Sequence, residues 1–519
     1  MQFIRAAFCA ALLVLSGRLP GVAQDVTLMS RDGVVEISGT LLGFDGEFYR
    51  VDTIFGELTV DGSGVRCDGP GCPNLQDYVA EVHVSGSATM GTVLVPALLA
   101  GYARRNGFAM QRDDRDATHV SYWLTELESK KRVAVFRFRV TNSDEGFADL
   151  LANEADLVMS LREITVEEQA RAEDAGLGDL TDPYRAGVLA LDAIVPIVSP
   201  QNPVREISPL QLAQVYSGKI TNWSALGGPD VLIARHVPSE RTGLGQAVRA
   251  QILERVDLTP SQDVIQHERG DDLTAAVLKD PFAMGLASFA EVGEAQPLAL
   301  RGICGRVLQA TRRAIKTEDY PLTAPMFIYT PARRLPRIAR GFLTFLRGPT
   351  AQVIIRRTGF VDQAREEVSV DLQGDRFANA IAAAGAEIPL AELKRLVTRL
   401  VEMKRLTLSF RFEAGSVQLD AQSRSNVVQL ARDLEQGLYD ARQLFFLGFS
   451  DGEGPAPQNQ RIATARAEAV RDAVLATAET MDPTQVKVGV DAFGEAMPLA
   501  CDDSAWGRKA NRRVEVWVR

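Results

Sequence analysis

Between Val82 and Val361 the chain alternates short apolar runs with amphipathic ones. "VHVSGSATM" reads as strand and loop, "VLVPALLAGYARRNG" as helix, "AVFRFRV" as strand, "EGFADLLAN" as helix and "ADLVMS" as strand. Strands separated by helices of this length build a parallel α/β sheet, because a crossover helix is what returns the chain to the same edge. The loops after the strand C-termini then form the binding edge. The pattern runs for roughly 280 residues, about the size at which a single core stops growing, so it predicts two lobes.

The flanks read differently. Residues 24–73 alternate apolar and polar with Asp-Gly pairs at 32, 45 and 61, a hairpin signal that predicts about five strands in a small all-β module. After the two-lobed region, taken as 74–365, comes a helix-rich connector, 366–406. Residues 407–519 then read strand, helix, strand, helix, strand. In "SRSNVVQLARDLEQG" Val427, Leu430, Ala431 and Leu434 share one helical face and Gly437 can end the helix. The expected class is therefore α/β and α+β, multidomain.

The 519-residue chain is 46% hydrophobic and 24% charged, as ordinary globular proteins are. Met1 to Ala23, with one early arginine, an apolar stretch and small residues before Gln24, has the pattern of a cleaved secretory signal peptide. Export to an oxidising compartment lets "CDGPGC" close a Cys67–Cys72 disulfide across its Gly-Pro-Gly turn, whereas Cys304 and Cys501 could pair or stay free. The four histidines show no paired spacing with the cysteines, so no metal or other cofactor is expected. A net charge of −10 without a Lys/Arg stripe makes nucleic acid a poor partner. No nucleophile elbow, phosphate loop or His-Glu-x-x-His motif is present, which argues against an enzyme.

One stretch near the C-terminus carries chemistry. "FLGFSDGEGPAPQNQRIATARAEAVRDAVL" puts Asp451 in a glycine-rich turn and Arg466 on the following helix. A carboxylate and a guanidinium held near each other but not paired suit a ligand bearing both an ammonium and a carboxylate. With Asn459, Gly494-Glu495 and the closing Asn511-Arg512-Arg513, this region resembles the OmpA-like peptidoglycan-binding domain. The resemblance implies that Asp451 and Arg466, with Asn459 and Arg512 beside them, grip the diaminopimelate of the peptidoglycan stem. Ser450 stands for the family's usual Thr, Ile462-Ala463 for its Leu-Ser, and Glu453 is added beside the pocket.

The central region, above all "DAIVPIVSPQNPVREISPLQLAQVYSGKITNWSALGG", resembles the phosphate-type periplasmic substrate-binding proteins of ABC transporters. This implies an oxyanion site of hydroxyls, helix-start N–H groups and one guanidinium: Thr89, Met90, Ser143, Arg235, Ser239 and Thr242. Asp156 would accept the proton that hydrogen phosphate has and sulfate lacks. Glu240 departs from the family's Ser-Gly-Thr loop and brings a charge. The two resemblances together imply an exported envelope protein that binds phosphate or a related oxyanion, is held to peptidoglycan, and has an ABC permease as a further candidate partner. The competing reading is a wall-associated scaffold whose lobes make protein contacts.

Overall fold

The computed structural model describes residues 25–75, 77–384, 388–412 and 416–519; the signal-peptide segment lies outside them. The chain forms two compact units, one comprising the residues up to Ala80 with Leu335–Ile338, the other Glu81–Arg334 with Ala339–Arg519.

The first unit is one antiparallel sheet of five strands in the order Gly56–Asp61, Phe48–Thr53, Glu36–Phe44, Asp25–Ser30, Val65–Asp68. Gly33 and Gly46 take positive φ, so the Asp-Gly pairs do supply turns, and the Asp45 carboxylate fixes one by accepting the Glu47 and Phe48 N–H groups at 2.8 and 2.6 Å. Val26, Leu28, Tyr49 and Val51 form the small core, and Cys67 and Cys72 are joined by a disulfide against it.

In the second unit a single sheet runs through both lobes. Its central pair is Ala186–Val198 and Thr323–Tyr329, antiparallel to each other, and Phe108–Asp114, His119–Glu126 and Arg132–Thr141 also pair antiparallel, so the sheet is mixed and not parallel throughout as the strand-helix alternation predicted. The long strand pairs with Thr323–Tyr329 through Ala193, then with Ala283–Ser288 from Ile194 onward, and so passes from one lobe into the next. Its near-continuous apolar sequence fits burial on both faces. On the first-lobe side lie Leu157–Ser160, Ala80–Ser87, Arg132–Thr141, His119–Glu126 and Phe108–Asp114; on the second lie Ala283–Ser288, Ala234–Pro238 and Ile265–His267.

The C-terminal domain is a five-stranded sheet ordered Glu367–Ser369, Lys404–Arg411, Arg513–Val518, Gln443–Phe449, Lys487–Ala492. The helices Ala421–Glu435 and Ala456–Thr477 pack on one face through Leu430, Leu434, Ala467 and Val470. Leu396 and Leu400 of the helix Leu390–Leu400 cover the other, over Leu447, Phe449 and Trp517. The stretch expected as a helical connector thus supplies helices and also an edge strand, because Glu367–Ser369 pairs with Lys404–Leu406. Cys304, in a loop of the second lobe, is disulfide-bonded to Cys501. Trp506 donates through Nε1 to the Gln251 carbonyl at 2.9 Å, and Arg405 pairs Asp319 at 2.6 Å. Beside that pair Glu515, fully buried, accepts from Arg513 Nε at 2.6 Å and Trp517 Nε1 at 3.0 Å and is paired with Arg376.

Candidate binding sites

The C-terminal constellation is assembled by one strand, turn and helix. Asp451 follows the strand Gln443–Phe449, and Asn459 and Arg466 lie two turns apart on one face of the helix Ala456–Thr477. That helix can lie close on the strand because position 448 is glycine: a Cβ there would overlap the Ala463 carbonyl oxygen. Ala463 is fully buried in this contact, so the helix position that lacks the family's hydroxyl is a packing position here.

Asp451, 8% exposed, is not an isolated carboxylate: Arg512 Nη1 donates to its Oδ2 at 2.7 Å. The unpaired charge is Arg466, 4% exposed, with no acid within 4 Å among the described residues. Its guanidinium lies over the Phe412 ring at 5.0 Å and donates to the Ser416 carbonyl at 3.4 Å, while its buried Nε has no partner. Burial and the nearby Arg512 depress its proton affinity, and Asp451 opposes them. Asn459 donates to Glu495 Oε2 at 2.7 Å and to the Gly454 carbonyl at 3.3 Å. The sequence reading did not single out Asp502, which holds the turn by accepting the Gly452 N–H at 2.9 Å and the Asn511 side chain at 2.8 Å. Its separation from Asp451 by some fifty residues left no local signal.

At the lobe junction the expected residues divide. Ser143 opens the helix Ser143–Leu151 and is buried, its Oγ accepting the Leu161 N–H at 3.1 Å. Met90 is fully buried in the turn after Thr89. From the second lobe come Ser239, whose Oγ accepts the Arg241 N–H at 3.3 Å, and Thr242, which caps the next helix by accepting the Gly245 N–H at 3.1 Å. The lobes touch here: Asn142 donates to the Arg241 carbonyl at 3.1 Å and Gln246 to Asp144 at 2.7 Å. Gly243 sits so near Ser87 that a Cβ on it would come within 2.8 Å of the serine Oγ. Ser87, absent from the expected set although it lies inside the quoted "VSGSATM", is fully buried with an unpartnered hydroxyl. Next to this point Ser143, Leu161 and Gly243 help line a cavity of about 220 Å³, whose far wall is Gln422, Trp506 and Lys509 of the C-terminal domain.

Asp156 and Arg235 are not brought to this junction. Asp156 precedes the strand Leu157–Ser160, whereas the junction lies at that strand's other end, roughly 15 Å away at ~3.3 Å per residue. It accepts the His83 N–H and an Arg333 Nη2 donor, both at 2.8 Å. Burial opposes the shift, but His83 and Arg333 prevail and hold the carboxyl below its ordinary range. The residue at the junction end is Leu161. Arg235, near the start of Ala234–Pro238, donates to the Val215 carbonyl at 3.3 Å and lies 3.6 Å from Asp263. Glu240 is turned outward to Arg249 at 3.3 Å and puts no charge into the junction.

A lobed sheet with one long central strand running from one half into the other, joined to a domain of alternating strands and helices, defines a binding-protein architecture with an appended module. Residues 73–349 match the PBP superfamily domain and residues 411–512 match the OmpA family. The chain belongs to the PBP superfamily. It is 23% identical over 210 residues to the phosphate-binding protein PstS of Staphylococcus epidermidis, covering 39% of this chain and 62% of that protein. It is 25% identical over 238 residues to protein SphX of Synechococcus elongatus, covering 43% and 67%. The chain therefore spans about three-fifths of the first relative's length. A putative phosphate ABC transporter substrate-binding protein from Clostridium perfringens, solved with bound phosphate, aligns with a TM-score of 0.42 at 20% identity, over 54% of this chain and 99% of that one. The peptidoglycan-associated lipoprotein from Burkholderia pseudomallei aligns with a TM-score of 0.19 at 23% identity, over 21% and 89%.

Proposed function

We propose that this is an exported cell-envelope binding protein. Its C-terminal domain, 407–519, holds the diaminopimelate end of a peptidoglycan stem, and its two-lobed domain, 74–365, takes phosphate or a related oxyanion between the lobes. The observation that carries the first half is Arg466: a buried guanidinium without an acid among the described residues, beside the Asp451–Arg512 pair. A free carboxylate can bind Arg466 bidentately while its ammonium takes the open oxygen of Asp451. Arg466→Ala should lose retention on purified peptidoglycan with an unchanged melting temperature. Full retention would remove this half of the proposal.

Support for the second half is the buried, unpartnered Ser87 hydroxyl between lobes, with Ser143, Ser239 and Thr242 around it. A small anion accepting from these hydroxyls and from the N–H groups at the start of the helix Ser143–Leu151 would complete them. With Asp156 at the far end of its strand, and Asp144 at the junction already engaged by Arg162 and Gln246, phosphate and sulfate should bind within a few-fold of each other. Calorimetry on the protein, with Ser143→Ala as the control, tests this. A permease is a candidate partner under this reading only.

A specific observation favours a second reading, a wall-bound scaffold with lobes that no longer bind an anion. Leu161 stands at the junction while Asp156 and Arg235 are engaged elsewhere. A melting temperature that stays flat across phosphate, sulfate and arsenate would select it, since a ligand of the folded state raises apparent stability.

A further inference from the structure

A second cavity, of about 550 Å³, lies between the two-lobed domain and the helix Ala421–Glu435 of the C-terminal domain, away from both sites above. Part of its lining is apolar, with Leu189, Ile328, Leu346, Val428 and Tyr439 all buried, while Thr330, Ser425 and four glutamines contribute uncharged polar groups. Tyr184 and Leu438 also line it but remain more than half exposed, which leaves an apolar entrance open to solvent. The charges around it are one-sided. Arg185, Arg347, Arg365 and Arg432 contribute to the wall, against a single acid, Asp433, which is already engaged by Arg365. This occurs in a chain whose net charge is −10.

Among the described residues neither Arg347 nor Arg432 has a carboxylate within 4 Å, and Arg347 donates only to the Tyr184 carbonyl, at 3.4 Å. Arg347 is exposed at the cavity mouth; packing on its inner side, together with the nearby like charge of Arg432, lowers its proton affinity. Two guanidiniums lining one cavity without an acid within 4 Å among the described residues make its potential positive and favour an anion, and the apolar part of a cavity of this size suits a small hydrophobic body. Both features line the same cavity, Arg347 from the two-lobed domain and Arg432 from the helix Ala421–Glu435, so one molecule can satisfy both.

We propose that this cavity binds a single-chain amphiphile with an anionic head, the chain lying against Leu189, Ile328 and Val428 and the head between Arg347 and Arg432. The head can be the carboxylate of a free fatty acid or the phosphate of a lysolipid; both offer oxygens to a guanidinium pair.

The test uses the full exported chain and competition against a fluorescent fatty acid, with ligands below their micelle concentrations. Dodecanoate or dodecyl phosphate should displace the probe at a single site, and whichever is tighter identifies the head. Dodecanol should bind at least tenfold more weakly, and inorganic phosphate should not compete. Arg347→Glu with Arg432→Glu should weaken dodecanoate at least tenfold. Val428→Trp should fill the cavity and abolish binding, while peptidoglycan retention stays unchanged in both variants. Equal binding of dodecanol, competition by inorganic phosphate, no binding of either anion, or binding unaffected by both variants would each overturn the proposal. Peptidoglycan retention is read in parallel, so failure here is distinct from failure of the wall-binding reading.

Discussion

The two candidate sites differ in how far apart in the chain their parts lie. At the C-terminal site Asp451, Asn459 and Arg466 fall within sixteen consecutive residues of one strand, turn and helix, and the fold of that segment alone sets their spacing. The lobe junction needs the ends of several strands from two lobes to meet, and there a shift of five residues along a strand separates Asp156 from Leu161. A local motif carries its geometry with it; a convergent site depends on which end of each strand a residue occupies. The comparison also separates two kinds of polar burial. Arg466 has no acid within 4 Å among the described residues, whereas Asp156 is paired with Arg333 and Arg235 lies 3.6 Å from Asp263, although Arg235, like Arg466, keeps a buried Nε without a partner.

The largest effect should come from the scaffold beneath the C-terminal site. Glu515→Ala leaves Arg513, Arg376 and Arg405 packed together without the carboxylate they share. Breaking a buried pair from one side costs about 3–5 kcal/mol, enough to unfold this domain at moderate temperature. Denaturant unfolding followed by Trp517 fluorescence checks it, and a loss below ~1 kcal/mol would mean that water or rearrangement supplies what Glu515 does. Next is the ligand-facing group: Arg466→Ala should weaken peptidoglycan retention by roughly 2–5 kcal/mol, measured as an increase in the unbound fraction at fixed wall concentration. Arg512→Ala should weaken it less, because it removes a partner of Asp451 and not the proposed carboxylate receptor.

How much of this was legible follows the same division. The strands and helices of the five-stranded module, the lobed region and the C-terminal sandwich are written in short-range periodicity, and the Asp-Gly turns at 32 and 45 appear with positive-φ glycines as expected. The direction of pairing is not: the lobed sheet expected to be parallel is mixed, because long-range contacts choose each strand's neighbour. The edge strand Glu367–Ser369 was not legible: three residues carry no periodicity, and its pairing with Lys404–Leu406 is decided by tertiary context. The pairing of Asp451 with Arg512 was hidden for a related reason, since the two are sixty-one residues apart. The reading of an uncommitted Asp451 is corrected accordingly, and Arg466 is the uncommitted member. At the junction, apolar alternation identified the strand after Asp156 but not which of its ends faces the lobes.

A smaller effect sharpens the junction side. Asp156→Ala leaves the His83 N–H without its acceptor and takes from Arg333 its carboxylate, though not its bonds to Asn153 and the Ala155 carbonyl, which costs about 1–3 kcal/mol of stability. Because Asp156 lies at the far end of its strand, any anion affinity should be unchanged, whereas Ser143→Ala should reduce it, at a stability cost of similar size because the buried Leu161 N–H loses its acceptor. The two variants, compared by calorimetry and denaturation, form a matched test. Loss of anion binding in Asp156→Ala alone would restore the carboxylate to the site and reverse the placement argued above.

The smallest effect concerns pH and the seam between the two-lobed and C-terminal domains. Burial, reinforced by the nearby charge of Asp420, raises the Glu318 carboxyl to about 8 against the opposing pull of Arg411 and Lys509. In the folded protein the group therefore keeps its proton up to about pH 8, while in the unfolded chain it releases it near the ordinary carboxylate value of about 4.3. Between these limits the folded state binds a proton that the unfolded state has lost, so stability is highest at the acid end and falls as pH rises through 8. Glu291, raised to about 7 by burial and by Asp192 and Asp271, adds a slope of the same sign. Glu318→Gln keeps the shape and removes the titration, so its denaturation midpoint should fall less steeply from pH 5 to 9 than that of the unaltered protein. The two curves should differ most at the alkaline end, where the glutamate is forced to ionise among buried neighbours and the glutamine is not. Parallel curves would show that Glu318 is already ionised at neutral pH, with Arg411 and Lys509 outweighing burial.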